Sequence, residues 1–135
     1  YGITPQAQAN KALHAALVRV PFVALRMGEL SFRGWALKPG VLQTDQPDVT
    51  ITRESLRANI QQKGVDMRIG LDIAALTLKK LAQIIVLVTA DSDFVPAMKF
   101  ARREGAQLFL VPFNAQSIKE SMREHSDLIL ELNLT

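Results

Sequence analysis

The sequence lacks cysteine, has few aromatic residues and contains no long apolar run. Without cysteine, disulfides and thiolate metal sites are excluded, and a reducing compartment is expected. No run approaches the ~20 apolar residues that a membrane span needs, and the N-terminus has no signal-peptide pattern. Internal repeats and low-complexity segments are also absent. These absences predict a cytoplasmic protein with no membrane segment, and the length predicts a single domain over residues 1–135.

The charge is unevenly distributed along the chain, although the net charge is only +3. Residues 1–80 contain eleven Lys and Arg against six Asp and Glu, whereas residues 81–135 contain five against seven. A basic chain that collects carboxylates at one point fits a polyanionic substrate held by Lys and Arg and cut at a metal. On charge alone, however, a solvated basic surface is the simpler interpretation.

The most informative segment is an apolar run that ends at two aspartates. Residues 84–88 are all Ile, Val or Leu, which is typical of a strand buried on both faces of a parallel sheet. Asp91 and Asp93 follow at the carboxyl end of this strand, where open α/β sheets bind ligands. Carboxylates so close together repel each other, and a divalent cation commonly relieves the repulsion.

Helix and strand signals alternate along the chain and predict an α/β fold. Helices are predicted at 5–18, 53–62, 66–81, 95–103 and from 117, and strands at 22–27, 30–37, 84–89, 107–111 and 127–132, with a turn-rich connection at 38–49. Ser117 and Glu120 fit a capping box for the last helix. Alternation in the second half predicts right-handed crossovers and a parallel sheet.

Asp66 is expected close to Asp91 and Asp93 in space, although it lies far from them in sequence. It opens the helix 66–81, which leads into the strand 84–89 through a very short link. So short a link folds the helix back antiparallel to the strand, and this returns the start of the helix to the far end of the strand. We therefore expect one acidic pocket formed by the three carboxylates.

Each aspartate also has a purely structural interpretation. Asp66 and Asp93 could serve as helix N-caps. Asp72 lies about 240° further around the helix than Asp66, so it does not share that face. It is either a ligand from below, a group that orients a ligand, or a partner of Arg68 or Lys79 in an ion pair. Of the four aspartates, Asp91 is the hardest to explain without a catalytic or metal-binding role.

Three segments together resemble the NYN domains of the PIN-like nuclease superfamily. They are Lys63-Gly64-Val65-Asp66, Leu71-Asp72-Ile73-Ala74 and Thr89-Ala90-Asp91-Ser92-Asp93-Phe94-Val95-Pro96. The Ala-Arg-Arg-Glu-Gly run at 101–105 is a typical continuation, and residues 32–35 are similar to the second-strand region of bacterial members. The similarity covers about residues 20–115. Thr89-Ala90 stands where members commonly have Ser-Gly.

The front of the chain departs from the family pattern. Members begin with an apolar strand that ends in Asp-Gly-(Asn/Asp)-Asn and supplies a further metal ligand, whereas this chain begins Tyr1-Gly2-Ile3. Residues 1–18 have the pattern of the helix that should follow such a strand. We therefore expect the first strand to be missing from this chain, rather than the ligand to be lost from the protein.

The resemblance implies a PIN-like three-layer α/β/α fold with a central, mainly parallel sheet, and a metal-dependent (endo)ribonuclease, a hydrolase of RNA phosphodiester bonds. It implies catalytic roles for Asp66, Asp91 and Asp93, and Mg²⁺ or Mn²⁺ held by these three residues and Asp72. The expected partner is single-stranded RNA. Candidate contacts to its phosphates are Arg33, Lys63, Arg68, Arg102 and Arg103, although a solvated charge is the simpler interpretation of each.

Other functions stay open at this point. An NYN-like module could bind RNA or a protein without cutting, and a homo-oligomer is compatible with the sequence. An Asp-x-Asp glycosyltransferase would also place a metal between two such aspartates, but the chain is short and has no second domain. Trp35 could stack on an unpaired base, although a lone Trp in a strand more often belongs to a core.

Overall fold

The computed structural model describes residues 4–113 and 118–132. The chain folds as two compact units, Tyr1–Val65 and Asp66–Thr135. Within the described ranges, no helix is both long and apolar enough to cross a membrane. That residues 1–135 act as a single domain stays a prediction.

The first unit consists of a helix and an antiparallel strand pair. Helix α1 (Pro5–Leu17) begins where the Thr4 hydroxyl accepts a hydrogen bond from the Ala7 backbone N–H at 3.2 Å. Strand β1 (Glu29–Leu37) pairs antiparallel with β2 (Leu56–Lys63). The register shifts between residues 32 and 35, where Gly34 has φ 88°, a conformation that glycine adopts without a Cβ penalty.

Two sequence-based assignments in this unit are wrong. Residues 22–27 form no strand, because no strand of the described residues pairs with them. Residues 53–62 form a single 3₁₀ turn (Arg53–Ser55) followed by β2, not a helix. Leu56, Ala58 and Ile60 alternate along β2 and lie opposite apolar residues of β1. Cross-strand pairing at period two therefore prevails over the helical interpretation of this segment.

The turn before β2 is held by its own polar side chains. The Thr52 backbone N–H donates to Ser55 Oγ at 3.2 Å. Hydrogen bonds from the Glu54 backbone N–H and the Thr52 hydroxyl hold the pKa of the Glu54 carboxyl group below its ordinary value. Thr52 thus starts one turn rather than the longer helix predicted for it.

The second unit is built around a parallel sheet, as predicted. Its elements are α2 (Val65–Leu78), β3 (Ile84–Val88), α3 (Val95–Arg103), β4 (Gln107–Val111), α4 (Glu120–Glu124) and β5 (Leu128–Ile129). The strands β3, β4 and β5 are neighbours in that order, and both pairs are parallel. The mixed α/β class is therefore confirmed, together with the helix at 95–103 and the strands at 84–89 and 107–111.

Three boundaries in the second unit differ from the prediction. Helix α2 ends at Leu78 rather than 81, because Lys80 has φ 54° and the Leu81 N–H donates to the Leu76 carbonyl at 2.9 Å, as in a helix C-cap. Strand β5 is only two residues long. Helix α4 begins at Glu120, and the capping-box prediction falls on Ser117, which lies outside the described residues.

One apolar core joins the helices of this unit to one face of the sheet. It contains Ile85 and Leu87 of β3, Leu108 and Leu110 of β4, and Ile73, Met98 and Met122 from α2, α3 and α4. Ile84, Val86 and Val88 alternate with the core residues of β3 and are 47–55% exposed. Among the described residues of the second unit, β3 is therefore covered on one face only, which differs from the predicted burial on both faces.

A polar brace holds β5 against β4. Asp127 accepts a hydrogen bond from the Leu108 backbone N–H at 2.7 Å and forms an ion pair with Arg102 (Nη2 to Oδ1, 3.2 Å). Arg102 Nη1 also donates to the Glu124 carbonyl at 2.9 Å. Arg102 thus connects the end of α3 to the turn before β5.

Candidate metal centre

Three carboxylates meet at the carboxyl end of β3. Asp66 lies in the first turn of α2, and Asp91 and Asp93 lie in the loop between β3 and α3. One carboxylate oxygen from each residue can be chosen so that all three lie within 4.8 Å of one another, and all three residues are exposed. Helix α2 therefore returns its start to the end of β3, and the predicted convergence of these three aspartates is confirmed.

Local hydrogen bonds hold the loop that contains Asp91 and Asp93. Asp91 Oδ1 accepts from the Asp93 backbone N–H at 2.9 Å, and Thr89 Oγ1 accepts from the Asp91 backbone N–H at 3.1 Å. A 3₁₀ turn (Ser92–Phe94) follows, and the Phe94 side chain is buried in the core. The cap of this turn is therefore Asp91, and the alternative interpretation of Asp93 as a helix N-cap does not hold, because Phe94 stands at the N-cap position of α3.

The donor set fits a small, hard divalent cation. Mg²⁺ and Ca²⁺ bind oxygen ligands at about 2.0–2.6 Å, so ligands of one ion are at most about 4–5 Å apart. The three carboxylate oxygens lie within 4.8 Å of one another, which is within the limit of about 5.2 Å for Ca²⁺ and slightly wider than the limit of about 4.2 Å for Mg²⁺. Because the capping bond of Asp91 uses one oxygen and a carboxylate has several acceptor sites, capping and metal ligation are compatible in the same residue.

Asp72 does not belong to this group of three. It is half-buried on α2, six residues after Asp66, and therefore about 240° further around the helix. The structure agrees with the expectation that the two side chains leave the helix in different directions. A role for Asp72 in metal binding stays a prediction.

Three of the five predicted phosphate contacts lie on β1, β2 and α2. Arg33 is exposed on β1, Lys63 is exposed at the end of β2, and Arg68 is half-buried on α2. Trp35 on β1 is 62% exposed, so the expectation that it belongs to a core is wrong. Its ring packs edge-on against Phe32, with the ring centroids 5.9 Å apart.

Arg102 and Arg103 are neighbours in sequence but have different surroundings. Arg102 is held in the brace with Asp127 and has a structural function there. The Arg103 guanidinium lies over the Phe100 ring, 5.3 Å from its centroid, and its side chain is 72% exposed. Its Nε lies 3.6 Å from a Glu104 carboxylate oxygen. Of the two, Arg103 is better placed to meet a phosphate.

A groove of ≈ 360 Å³, which the sequence did not predict, is lined by the first two turns of α2 and the start of α3. Asp66 and Asp93 lie at the groove as well as in the acidic cluster, and its apolar lining includes Met67, Leu71 and Pro96, with Gly70 among them. The signal in the sequence was Gly70. A glycine inside a helical pattern weakens the helix, so its presence indicates a packing or functional cause.

Comparison with known proteins agrees with this description. The NYN domain family model matches residues 29–133. A crystal structure of a protein of unknown function, VPA0982 from Vibrio parahaemolyticus RIMD 2210633, has a similar fold, with a TM-score of 0.56 and 13% sequence identity. The similarity covers 98% of this chain, but this chain spans only 64% of that one. Comparison with the curated proteins gives no match. Because the family model covers most of its length, the chain belongs to the NYN domain family of the PIN-like nuclease superfamily.

Proposed function

We propose that this protein is a metal-dependent ribonuclease that hydrolyses phosphodiester bonds in single-stranded RNA. The observation that carries the proposal is the convergence of Asp66, Asp91 and Asp93 at the carboxyl end of a parallel strand. Two separate segments, the start of α2 and the β3–α3 loop, bring these like charges together. In a domain of the NYN family, a metal site for RNA hydrolysis accounts for such an arrangement.

The residues of this chain have separable tasks in the proposed reaction. Asp66, Asp91 and Asp93 would hold Mg²⁺ or Mn²⁺, with Asp72 as a further ligand or an orienting group. When bound there, the ion supplies a Lewis acid for the phosphate and makes a water a better nucleophile. The Asp93 backbone N–H fixes the orientation of the Asp91 carboxylate, and the Thr89 hydroxyl holds the backbone behind it.

RNA cleavage by the purified protein is expected to require a divalent metal. A labelled single-stranded RNA should be cut in millimolar Mg²⁺ or Mn²⁺ and remain intact in EDTA, because the proposed chemistry depends on the ion. Product analysis on a gel measures this, and cleavage should return when metal is added in excess of EDTA. Cleavage that persists in EDTA contradicts a metal mechanism.

The same experiment tests a second candidate, an NYN module that binds RNA or a protein without cutting. One observation favours it: the capping bond of Asp91 gives that residue a structural role even without a metal. Metal and RNA binding without cleavage would support this candidate. A cytoplasmic location and homo-oligomer formation are also predictions.

Arg102 and Arg103 are expected to give opposite results when each is replaced by alanine. Arg102→Ala breaks the brace to Asp127 and should destabilise the fold by ~1–2 kcal/mol, since the partly exposed pair includes a charged hydrogen bond. Arg103→Ala should leave stability nearly unchanged. It should weaken RNA binding and reduce the slope of log K against log salt by about 1.

Chemical denaturation and fluorescence anisotropy across a salt series measure the two effects, and each variant is the control for the other. If Arg102→Ala alone weakens RNA binding without lowering stability, the assignment of the two residues is wrong.

A further inference from the structure

We propose that the groove beside the acidic cluster binds one unpaired nucleoside of the RNA strand, next to the phosphate that is cleaved. The inference rests on the proposed function and deepens it, because it assigns a substrate subsite. The proposed occupant is a nucleoside of single-stranded nucleic acid rather than a peptide or a free small molecule.

The first argument is continuity with the acidic cluster. Asp66 and Asp93 both line the groove and both belong to the group of three carboxylates. A nucleoside in the groove would therefore lie within one covalent linkage of a phosphate held at the cluster. Any RNA strand cut at this site must place a neighbouring nucleoside here or on the opposite side of the cluster.

The second argument is the chemistry of the walls. Met67 and Leu71 of α2 are 68% and 60% exposed, and they face the groove together with Pro96 of α3. Apart from Asp66 and Asp93, the described residues that line the groove are apolar or glycine. Such walls can contact the flat face of a base, and they present no polar side chain to read its edge. The subsite should accept any base.

The third argument is Gly70, which lies in the interior of α2. A glycine there makes a helix less stable than an alanine would. Its backbone does not have a positive φ, and a Cβ at this position would meet no atom within 4 Å. Neither the backbone conformation nor the packing therefore requires glycine. A ligand that approaches the helix backbone closely at this open position would explain the glycine.

The fourth argument is charge complementarity along α3. Pro96, Phe100 and Arg103 are four and three residues apart and so lie on one face of this helix. Arg103 is held over the Phe100 ring. A strand that leaves the groove along this face meets a cation, which suits a polyanion. The volume of ≈ 360 Å³ is near the lower end of ligand sites, ~300–1,000 Å³, and suits one nucleoside rather than a base pair.

Two experiments test the proposal: a substitution that fills the groove, and RNAs from which single bases have been removed. Binding of a short single-stranded RNA is measured by fluorescence anisotropy in Ca²⁺, with the RNA checked to be intact. Gly70→Phe should weaken binding roughly tenfold, the scale of one lost base stack, and Gly70→Ala should have a smaller effect. Leu78→Phe is the matched control, because it adds the same ring at an exposed site two turns further along α2 and should bind like wild type.

An abasic scan then identifies the occupant. In an RNA with one abasic nucleotide at a time, the wild type should lose roughly tenfold in affinity when the abasic position falls in the groove. Gly70→Phe should show no further loss of affinity at that same position, because the substitution and the missing base remove the same interaction. Losses that add at every position, or a Gly70→Phe variant that binds like wild type, overturn the proposal.

A second pair of substitutions covers the case in which Gly70→Phe fails to fold. Met67→Ala combined with Leu71→Ala removes two exposed walls and should reproduce the loss of affinity without a change in thermal stability. If metal-dependent cleavage is found and these variants bind RNA normally, the groove proposal fails and the nuclease proposal stands. If the abasic signature is found without cleavage, the nuclease proposal fails and the groove stands as an RNA-binding site.

Discussion

Replacement of Asp91 by asparagine is expected to abolish RNA cleavage while the fold and RNA binding survive. Asparagine has nearly the same shape, and its Oδ1 can still accept the hydrogen bond from the Asp93 backbone N–H, so the cap of the loop is kept. What is lost is one negative charge among three carboxylates that lie within 4.8 Å of one another. Because a catalytic ion supplies several kcal/mol of transition-state stabilisation, the rate should fall on the order of 10²–10⁴-fold.

The measurement compares cleavage of a labelled single-stranded RNA by wild type, Asp91→Asn and Asp48→Asn in Mn²⁺ and in EDTA. Asp48→Asn is the matched control, because it makes the same chemical change at an exposed residue of the turn-rich connection. RNA affinity should be equal in all three proteins or slightly higher in Asp91→Asn, since phosphate contacts come from Lys and Arg. Unchanged cleavage by Asp91→Asn would exclude the acidic cluster as the active site.

Millimolar Mn²⁺ is expected to raise the midpoint of thermal unfolding of the wild type and to have little effect on Asp93→Asn. A ligand at 100 times its Kd stabilises the folded state by ≈ 2.7 kcal/mol, which corresponds to a shift of about 10 °C for a chain of this size. Without metal, the order of the two unfolding midpoints should reverse. Asp93→Asn should then unfold at the same temperature as the wild type or a higher one, because one of three mutually repelling charges has been removed.

This reversal distinguishes a metal site from a general loss of stability. Melting curves are recorded with Mn²⁺ and with NaCl at equal ionic strength, again with Asp48→Asn as the control. A structural role for the Asp93 charge would lower the midpoint of Asp93→Asn in both conditions. Equal midpoints of the wild type with and without saturating Mn²⁺ would contradict the site.

The sequence by itself determined the strand, loop and helix that contain Asp91 and Asp93, because each boundary has a local cause. An apolar run of β-branched residues and leucine ends at residue 88, Pro96 suits the first turn of α3, and Gly105 with φ 94° stands just beyond its end. The approach of Asp66 was also predictable, because the link between α2 and β3, residues 79–83 in the structure, is short enough to fold the helix back against the strand.

Only the tertiary structure decided features that depend on partners distant in sequence. Residues 56–63 form a strand because β1 lies beside them, and Arg102 differs from Arg103 because Asp127 comes within 3.2 Å of one and not the other. The groove is lined by the first two turns of α2 together with the start of α3. Periodicity and capping signals report contacts within a few residues along the chain, whereas these features are set by packing between segments that the chain brings together only on folding.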